Sequence, residues 1–428
     1  MEGAPLDITI RLEEQIPVRG EYDVLVAGGG VAGCAAALEA ARCGKKVLLL
    51  EKGFALGGLA TIGLINFFVP MCNGRGIPVI KGMAEEFLRL SIRYGYDTLP
   101  EPWRDGTGGE AAKDVRYCTR YSAPIFAMAL TELLCNAGVE ILFDTGVVRP
   151  VMEGRVCRGL VTLNKSGLEF YAAKMIVDAT GDGDVLFRAN VPTVQGGNYH
   201  TYSLIGATME TLRRAYEAED FGKLQTNFFG GRANLYGGDH PEGKPLWLGT
   251  SGEDVTRYET ENQMEALENL KSTDRRRRDV LQMPAMPQFR TTRHVDGDWT
   301  LNAERDAYRH FDDSVCAICD FDRRDYLYEV PLRCLGRRKW PNLVTCGRVA
   351  SAEGYGWDVI RVIPPAILTG QAAGAACARA LDEGTGVLEL DVAGLQSQLA
   401  AEGVLIHFDD AWVPEGRDGE ALGAEGYI

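Results

Sequence analysis

Histidine is scarce in this chain: there are five among 428 residues, none at the H-x-x-x-H spacing that sets two imidazoles on one helix face. No metal constellation and no nucleophile-histidine-acid triad is visible. Long apolar runs are missing as well. The longest weakly polar stretch, residues 362–378, is broken by Pro364, Pro365, Thr369 and Gln371 and preceded by Arg361, so it makes a poor membrane span. Residues 1–20 mix both signs of charge around no apolar centre, and a secretory leader is not expected. Basic charge is in deficit, 45 Lys+Arg against 60 Asp+Glu, and the net charge of −15 disfavours nucleic acid and anionic membranes as partners. The basic run Arg275 to Arg278 is bracketed by Asp274 and Asp279 and reads as the solvated end of a helix that starts near residue 253. The eleven cysteines form no paired framework, and the single C-x-x-C, Cys316 and Cys319, has no second pair. Buried, reduced thiols in a cytoplasmic protein are the expectation.

What remains is an ordinary globular composition, 46% hydrophobic and 25% charged, on a chain too long for one core. Glycine carries the first positive signal. In "DVLVAGGGVAGCAAALEAARCGKKVLLLEKG", residues 23–53, an apolar run at 23–27 suits a strand buried on both faces. An alanine-rich helix over 32–43 stops before Gly44, and a second strand over 46–50 ends at Glu51. Strand, glycine turn, helix, strand and terminal acid in this order define a dinucleotide-binding unit. Gly28 permits the tight turn, Gly30 lets the backbone approach a pyrophosphate, and Gly33 lets helix and strand pack closely; Glu51 accepts from ribose hydroxyls. The acid argues against a 2′-phosphate but leaves NAD and FAD open.

Two later segments separate them. In "EKGFALGGLATIG", residues 51–63, Gly57 and Gly58 follow the acid closely, where the pyrophosphate and ribityl chain of a flavin run past and a side chain would collide; Thr61 adds a hydroxyl. In "NLVTCGRVASAEGYGWDVIRVIPPAILTGQAAGAACARAL", residues 342–381, a strand over 343–346 ends at Gly347 and Arg348, and a helix opens at Pro364 and Pro365. Its N-terminus would face the N1/O2 edge of an isoalloxazine ring and favour negative charge there. Between them "AKMIVDATGDGDV", residues 173–185, runs from an apolar strand into small residues and acids, with Asp178 in need of a partner if buried.

These segments, with "FRTTRHVDGD" and "YEVPLRCL", resemble the FAD-dependent oxidoreductase family with a glutathione-reductase-type FAD fold, distantly similar to succinate dehydrogenase and fumarate reductase flavoproteins. The resemblance runs from about residue 18 onward. It implies FAD contacts at Gly28, Gly30, Gly33, Glu51, Lys52, Gly58, Thr61, Ala179, Gly181, Asp184, Gly347 and Arg348, with Val147 near the adenine. The same segments supply Val31, Ala32, Gly57, Leu59, Ala60, Thr180 and Ala366. Thr291 and His294 depart from the family pattern, which has an acid and an arginine there, and so does the pair Pro364-Pro365, where the family more often has proline and then a polar residue.

The expected architecture is α/β: a Rossmann-like FAD domain of parallel sheet, flanking helices and β-meander, assembled from residues 20–190 and 335–385. An α+β cap over 191–334 is inserted, and a helical extension over 386–428 follows. The expected activity is hydride transfer between a small polar substrate and non-covalently bound FAD. The alternative is a redox subunit or scaffold fed by a protein partner, and a homo-oligomer or electron-transfer partner is allowed for. Arg361 is the first candidate for a substrate or flavin contact. Arg290, Arg293 and His294 come second, the arginines suited to an oxyanion and the histidine to proton transfer. His200 with Tyr199 and Tyr202, and Cys72 with Asn66 and Asn73, stand third, and Cys72 or a histidine is the candidate for covalent flavin attachment.

Overall fold

The computed structural model describes residues 11–418 and the short strand Glu420–Ala421; residues 1–10 of the N-terminal stretch read above lie outside the described residues. Strand β1, Val18–Ala27, ends in four fully buried apolar residues. It begins earlier than the apolar run alone predicts, because its polar first half also pairs along a neighbouring strand. Helix α1, Val31–Arg42, follows the glycine turn directly, and β2, Val47–Leu50, returns beside β1 in parallel with Val24 opposite Val47. Helices α2, Met83–Ile92, and α3, Ala123–Asn136, lead to β3, Glu140–Leu142, parallel to β2. An antiparallel meander then runs through β4, Gly146–Glu153, β5, Val156–Asn164, and β6, Gly167–Asp178. Strand β6 lies parallel to β1 with Asp178 opposite Ala27, and the short helix α4, Asp184–Arg188, follows it.

The next segment forms the cap. Strands β7, Thr201–Thr208, β8, Thr226–Arg232, and β9, Arg278–Gln282, make a three-stranded antiparallel sheet with β7 in the middle. Helices α5, Met209–Ala218, and α6, Gly252–Lys271, belong to the same unit. Tyr202, Leu204, Trp247, Tyr258, Ala266 and Phe289 give it a core of its own. The basic run is not the end of α6, as the sequence suggested. That helix stops at Lys271, Asp274 accepts from the Arg276 amide at 3.0 Å to shape a turn, and Arg278 begins β9 while its Nη2 caps the Leu270 carbonyl at 2.6 Å.

The insertion is also shorter than residues 191–334. The hairpin β10, Ser314–Cys319, with β11, Leu327–Pro331, buries Val315, Cys316, Ala317 and Ile318 in the same core as α1. Strand β12, Leu343–Thr345, then joins the main sheet beside β6, giving seven strands. Helix α7, Tyr355–Arg361, precedes α8, Ile363–Glu383, and the two are bent by 73°. Helix α9, Val392–Ala401, follows. Among the described residues no single helix is long and apolar enough to cross a membrane; the bent pair passes on composition together, but α8 is almost wholly buried in the core.

Helix α8 packs against α1 through two glycines one turn apart. A Cβ on Gly370 would lie 2.2 Å from the Ala32 carbonyl oxygen, and one on Gly374 would lie 2.4 Å from that of Ala36. The two helix axes thus approach to backbone contact. The carboxyl ends of β1, β2, β6 and β12 meet at one edge of the sheet, the place where open parallel sheets bind ligands.

Candidate active site

A cavity of about 1060 Å³ opens at that edge and extends under the cap. The glycine turn forms one wall. Gly28 has φ +107°, and a Cβ on it would stand 2.3 Å from the Ala179 carbonyl oxygen, so only glycine fits. Nothing comes within 4 Å of a Cβ built on Gly30, which with Val31 and Ala32 presents the N-terminus of α1 to the cavity. Gly33 does not line it. A Cβ there would sit 1.9 Å from the Gly28 carbonyl oxygen, so this glycine serves the packing of helix on turn.

Glu51 lines the cavity at the end of β2 while holding both loops around it. Its Oε2 accepts from the Gly29 amide at 2.7 Å and its Oε1 from the Gly53 amide at 2.6 Å, each oxygen keeping a further lone pair. The second glycine loop lies against the first, the Gly57 amide donating to the Gly29 carbonyl at 2.8 Å. Lys52, Gly57, Gly58, Leu59 and Ala60 reach the cavity. Thr61, expected to offer a hydroxyl, is turned away: its Oγ1 donates to the Leu56 carbonyl at 2.5 Å and closes the loop from behind.

The "ATGDGD" loop forms the opposite wall through Ala179, Thr180, Gly181 and Asp184. Asp178, fully buried, organises it by accepting from the Thr180 amide and hydroxyl and the Leu186 amide. Burial raises its pKa to about 6 against these lowering bonds. Val147 lies at the far end, its carbonyl bound by Arg188 Nη1 at 2.7 Å. Gly347, Arg348 and Ala366 complete the middle. Arg348 bridges two walls and the cap, donating to Gly181 O, to Asp182 Oδ1 at 2.7 Å and to the Phe289 carbonyl.

Of the four candidate catalytic residues the structure brings Arg290 and Arg361 into the cavity and leaves Arg293 and His294 outside it. The reason is local. After Arg290 the chain turns back to the "ATGDGD" loop, Thr292 bonding Asp182 at 2.8 Å and Arg293 bonding the Asp182 carbonyl at 3.1 Å over the Phe187 ring. His294 lies buried against Trp357, its Nδ1–H donating to the Val295 carbonyl, and burial lowers its pKa. Proton transfer at the cavity is not available to it.

Arg361 is held by Asp358 one turn back, through Nε at 2.8 Å. Arg290 has its backbone amide bound to the buried Asn198 Oδ1 at 2.7 Å, yet its Nη1 is buried with no hydrogen-bond partner. Burial and the neighbouring positive charge of Arg361 pull its pKa down to about 10. Sequence reasoning missed Arg120, ahead of α3, and the cap's Ser203, Arg232 and Gln288, which also line the cavity and which no motif or periodicity marks. Of the third-rank residues only Asn66 lines the cavity. His200 belongs to the cap interior, between Glu265 and Trp247, and Cys72 and Asn73 sit in a separate turn. Cys316 and Cys319 are buried free thiols.

A glycine turn, an acid ending the second strand, a second glycine loop and a helix N-terminus under a cap define a flavin-adenine-dinucleotide-dependent oxidoreductase fold. The cavity fits FAD: the open space at Gly30, the carboxylate of Glu51 and the amides of α1 stand where its adenosine and pyrophosphate need them. The chain belongs to the family described as FAD dependent oxidoreductase, which it matches over residues 23–218 and 249–399. It is similar to the digeranylgeranylglycerophospholipid reductase of Methanoculleus marisnigri, 26% identical over 186 residues, 41% of this chain and 43% of that one. It is also similar to the tRNA uridine 5-carboxymethylaminomethyl modification enzyme MnmG of Geobacillus kaustophilus, 29% identical over 181 residues, 38% of this chain and 24% of that one. The match thus spans less than half the length of these curated relatives. Among solved structures, the p-nitrophenol 4-monooxygenase PnpA of Pseudomonas putida aligns over 92% of this chain and 91% of its own, at 16% identity and a TM-score of 0.46.

Proposed function

We propose that the protein transfers a hydride between non-covalently bound FAD and a small organic substrate carrying a carboxylate or comparable oxyanion. When bound, FAD supplies hydride acceptance or donation. The observation that carries the reading is Arg290, which lines the cavity beside a second guanidinium, has no carboxylate partner among the described residues and keeps its Nη1 buried and unpartnered behind the wall. A guanidinium held out of water without a counter-charge is costly, and an anionic ligand in the cavity would offset that cost. Arg290 binds the oxyanion in this account. Arg361, kept in one orientation by Asp358, supports its second oxygen or the ring edge. The N-terminus of α8, with Ile363 and Ala366 on the cavity, adds the positive end of its dipole at the same place, although Pro364 and Pro365 carry no N–H and the Ala366 amide is given to the Val362 carbonyl at 3.0 Å. The cap shields the site from water. No histidine lines this cavity, and its acids, Glu51 and Asp184, flank the two loops of the dinucleotide half.

Anaerobic mixing of the FAD-loaded protein with a panel of carboxylic acids, hydroxy acids and uncharged polyols tests the reading. Carboxylates should bleach the flavin, or reoxidise flavin reduced beforehand, and uncharged analogues should not. Turnover confined to uncharged compounds would reject it.

A further inference from the structure

Away from the cavity, three side chains that are far apart in sequence converge on one point. Glu329, in β11, is fully buried, and its Oε1 lies 2.6 Å from Nδ1 of His310 and 2.9 Å from Nδ1 of His407. The three atoms lie within 4.8 Å of one another. We propose that His310, Glu329 and His407 bind a divalent transition-metal ion of the zinc class.

The surroundings support coordination more than a simple hydrogen-bonded cluster. The remote oxygen of Glu329 accepts from the Phe311 amide at 2.7 Å, which leaves Oε1 as the one free ligand atom. The remote nitrogen of His310, Nε2, lies 3.0 Å from Asp410 Oδ1. A carboxylate accepts only, so Nε2 carries a proton, and an ion that displaces the proton of Nδ1 would meet its lone pair at the cluster. An outer carboxylate fixing a ligand histidine in this way is the usual second shell of a zinc site. Phe408 stacks on the His310 ring at 4.4 Å and holds its plane.

Without an ion the same contacts call for extra protons. Both imidazoles must turn an N–H toward the single Oε1, and His310, facing a carboxylate from each nitrogen, must be doubly protonated. The ion pairs of Glu329 are with these two histidines, and no lysine or arginine is among them. A divalent ion compensates the buried charge directly and takes both Nδ1 lone pairs. Ligand distances of about 2.0 to 2.2 Å place the donor atoms roughly 3.4 Å apart in a tetrahedron, so the two rings retreat from Oε1 by about half an ångström to an ångström while their Nδ1 atoms, within 4.8 Å of each other, settle at the same spacing. Imidazole with one carboxylate suits zinc, and the half-exposed His407 leaves room for water as the fourth ligand.

Such an ion would tie the segment after α9 to the β10–β11 hairpin. That segment already follows β10, the Ala317 amide donating to the Leu405 carbonyl at 2.6 Å and Ser314 Oγ to that of Ile406 at 2.7 Å. None of the three ligands lines the flavin cavity, so the inference stands apart from the redox reading.

Calorimetric titration of Zn²⁺ into the chelator-stripped, FAD-loaded protein tests it, alongside thermal unfolding with and without Zn²⁺. One equivalent should bind and raise the Tm, and His407→Ala and His310→Ala should each weaken binding at least about a hundredfold and abolish the Tm rise. His407 is half exposed, so its variant should fold and keep FAD even if Glu329→Gln does not. Absence of binding at about 100 μM Zn²⁺, or binding unchanged in His407→Ala, would overturn the site.

Discussion

The guanidinium groups of Arg290 and Arg361 face the same end of one cavity, and of the two only Arg361 has a carboxylate partner among the described residues. Their division of labour is testable. Arg361→Ala should keep its fold and FAD but slow flavin reduction at least tenfold, about 1.4 kcal/mol of transition-state stabilisation. Arg290→Ala should chiefly raise the KM of an anionic substrate, by about tenfold or more. Rapid-mixing absorbance separates the two effects, and a normal rate in Arg361→Ala would remove that residue from the chemistry.

Glu51 should prove necessary for retaining the cofactor. Glutamine in its place can accept on one side only and turns an NH₂ toward either the Gly29 or the Gly53 amide, so one charge-assisted bond worth roughly 1.5 to 3 kcal/mol is lost and a donor clash replaces it. Equilibrium dialysis should show FAD binding at least about tenfold weaker in Glu51→Gln. Chromatography of the flavin released from the wild type should give FAD and not FMN.

Much of the dinucleotide half was legible because its constraints are local. A turn with φ +107° needs glycine at position 28, an acid must end β2 to meet the Gly29 amide, and these sit at fixed spacings along the chain. Thr61 shows the limit of spacing: it belongs to the motif, yet its hydroxyl closes its own loop, whereas Gly33 packs helix on turn as its place in the motif predicts. The ring end was legible only in part. Arg290 and Arg293 stand three apart in one basic segment, and which of them enters the cavity is decided by Asp182 and Phe187, more than a hundred residues earlier. Arg120 and Arg232 reach it from other elements and carry no signal in sequence. The convergence of His310, Glu329 and His407 likewise depends on the segment after α9 returning along β10.

Arg348 holds the cap to the FAD domain. Replacing it with Met should leave Asp182 without its buried cation and free the Phe289 carbonyl, at a cost of about 3 kcal/mol. Hydrogen exchange should rise first in residues 285–292, and equal protection in both proteins would mean the cap is held by packing alone.

Stability should fall as pH rises through neutrality because of Glu39. Burial and the nearby Glu402 push its pKa up to about 7, from an ordinary value near 4.5. The folded protein therefore binds more protons than the unfolded chain between those values, and stability is fullest below about pH 4.5 and declines toward pH 7 as far as this residue is concerned. Glu39→Gln should be more stable than the wild type at pH 8 by on the order of 1 kcal/mol, with the gap closing at pH 5. Urea titrations at the two pH values measure it, and a gap that is the same at both would reject the assignment.

Gly370 and Gly374 on α8, pressed to the backbone of α1, have a consequence for the cofactor's fit. One helix starts at the first glycine turn and the other just after Arg361, so the spacing between those two walls of the cavity is fixed by helix-to-helix backbone contact and not by any side chain that lines it. The cavity's length is gauged from outside the cavity. Widening that contact by a single methyl group would shift one wall relative to the other.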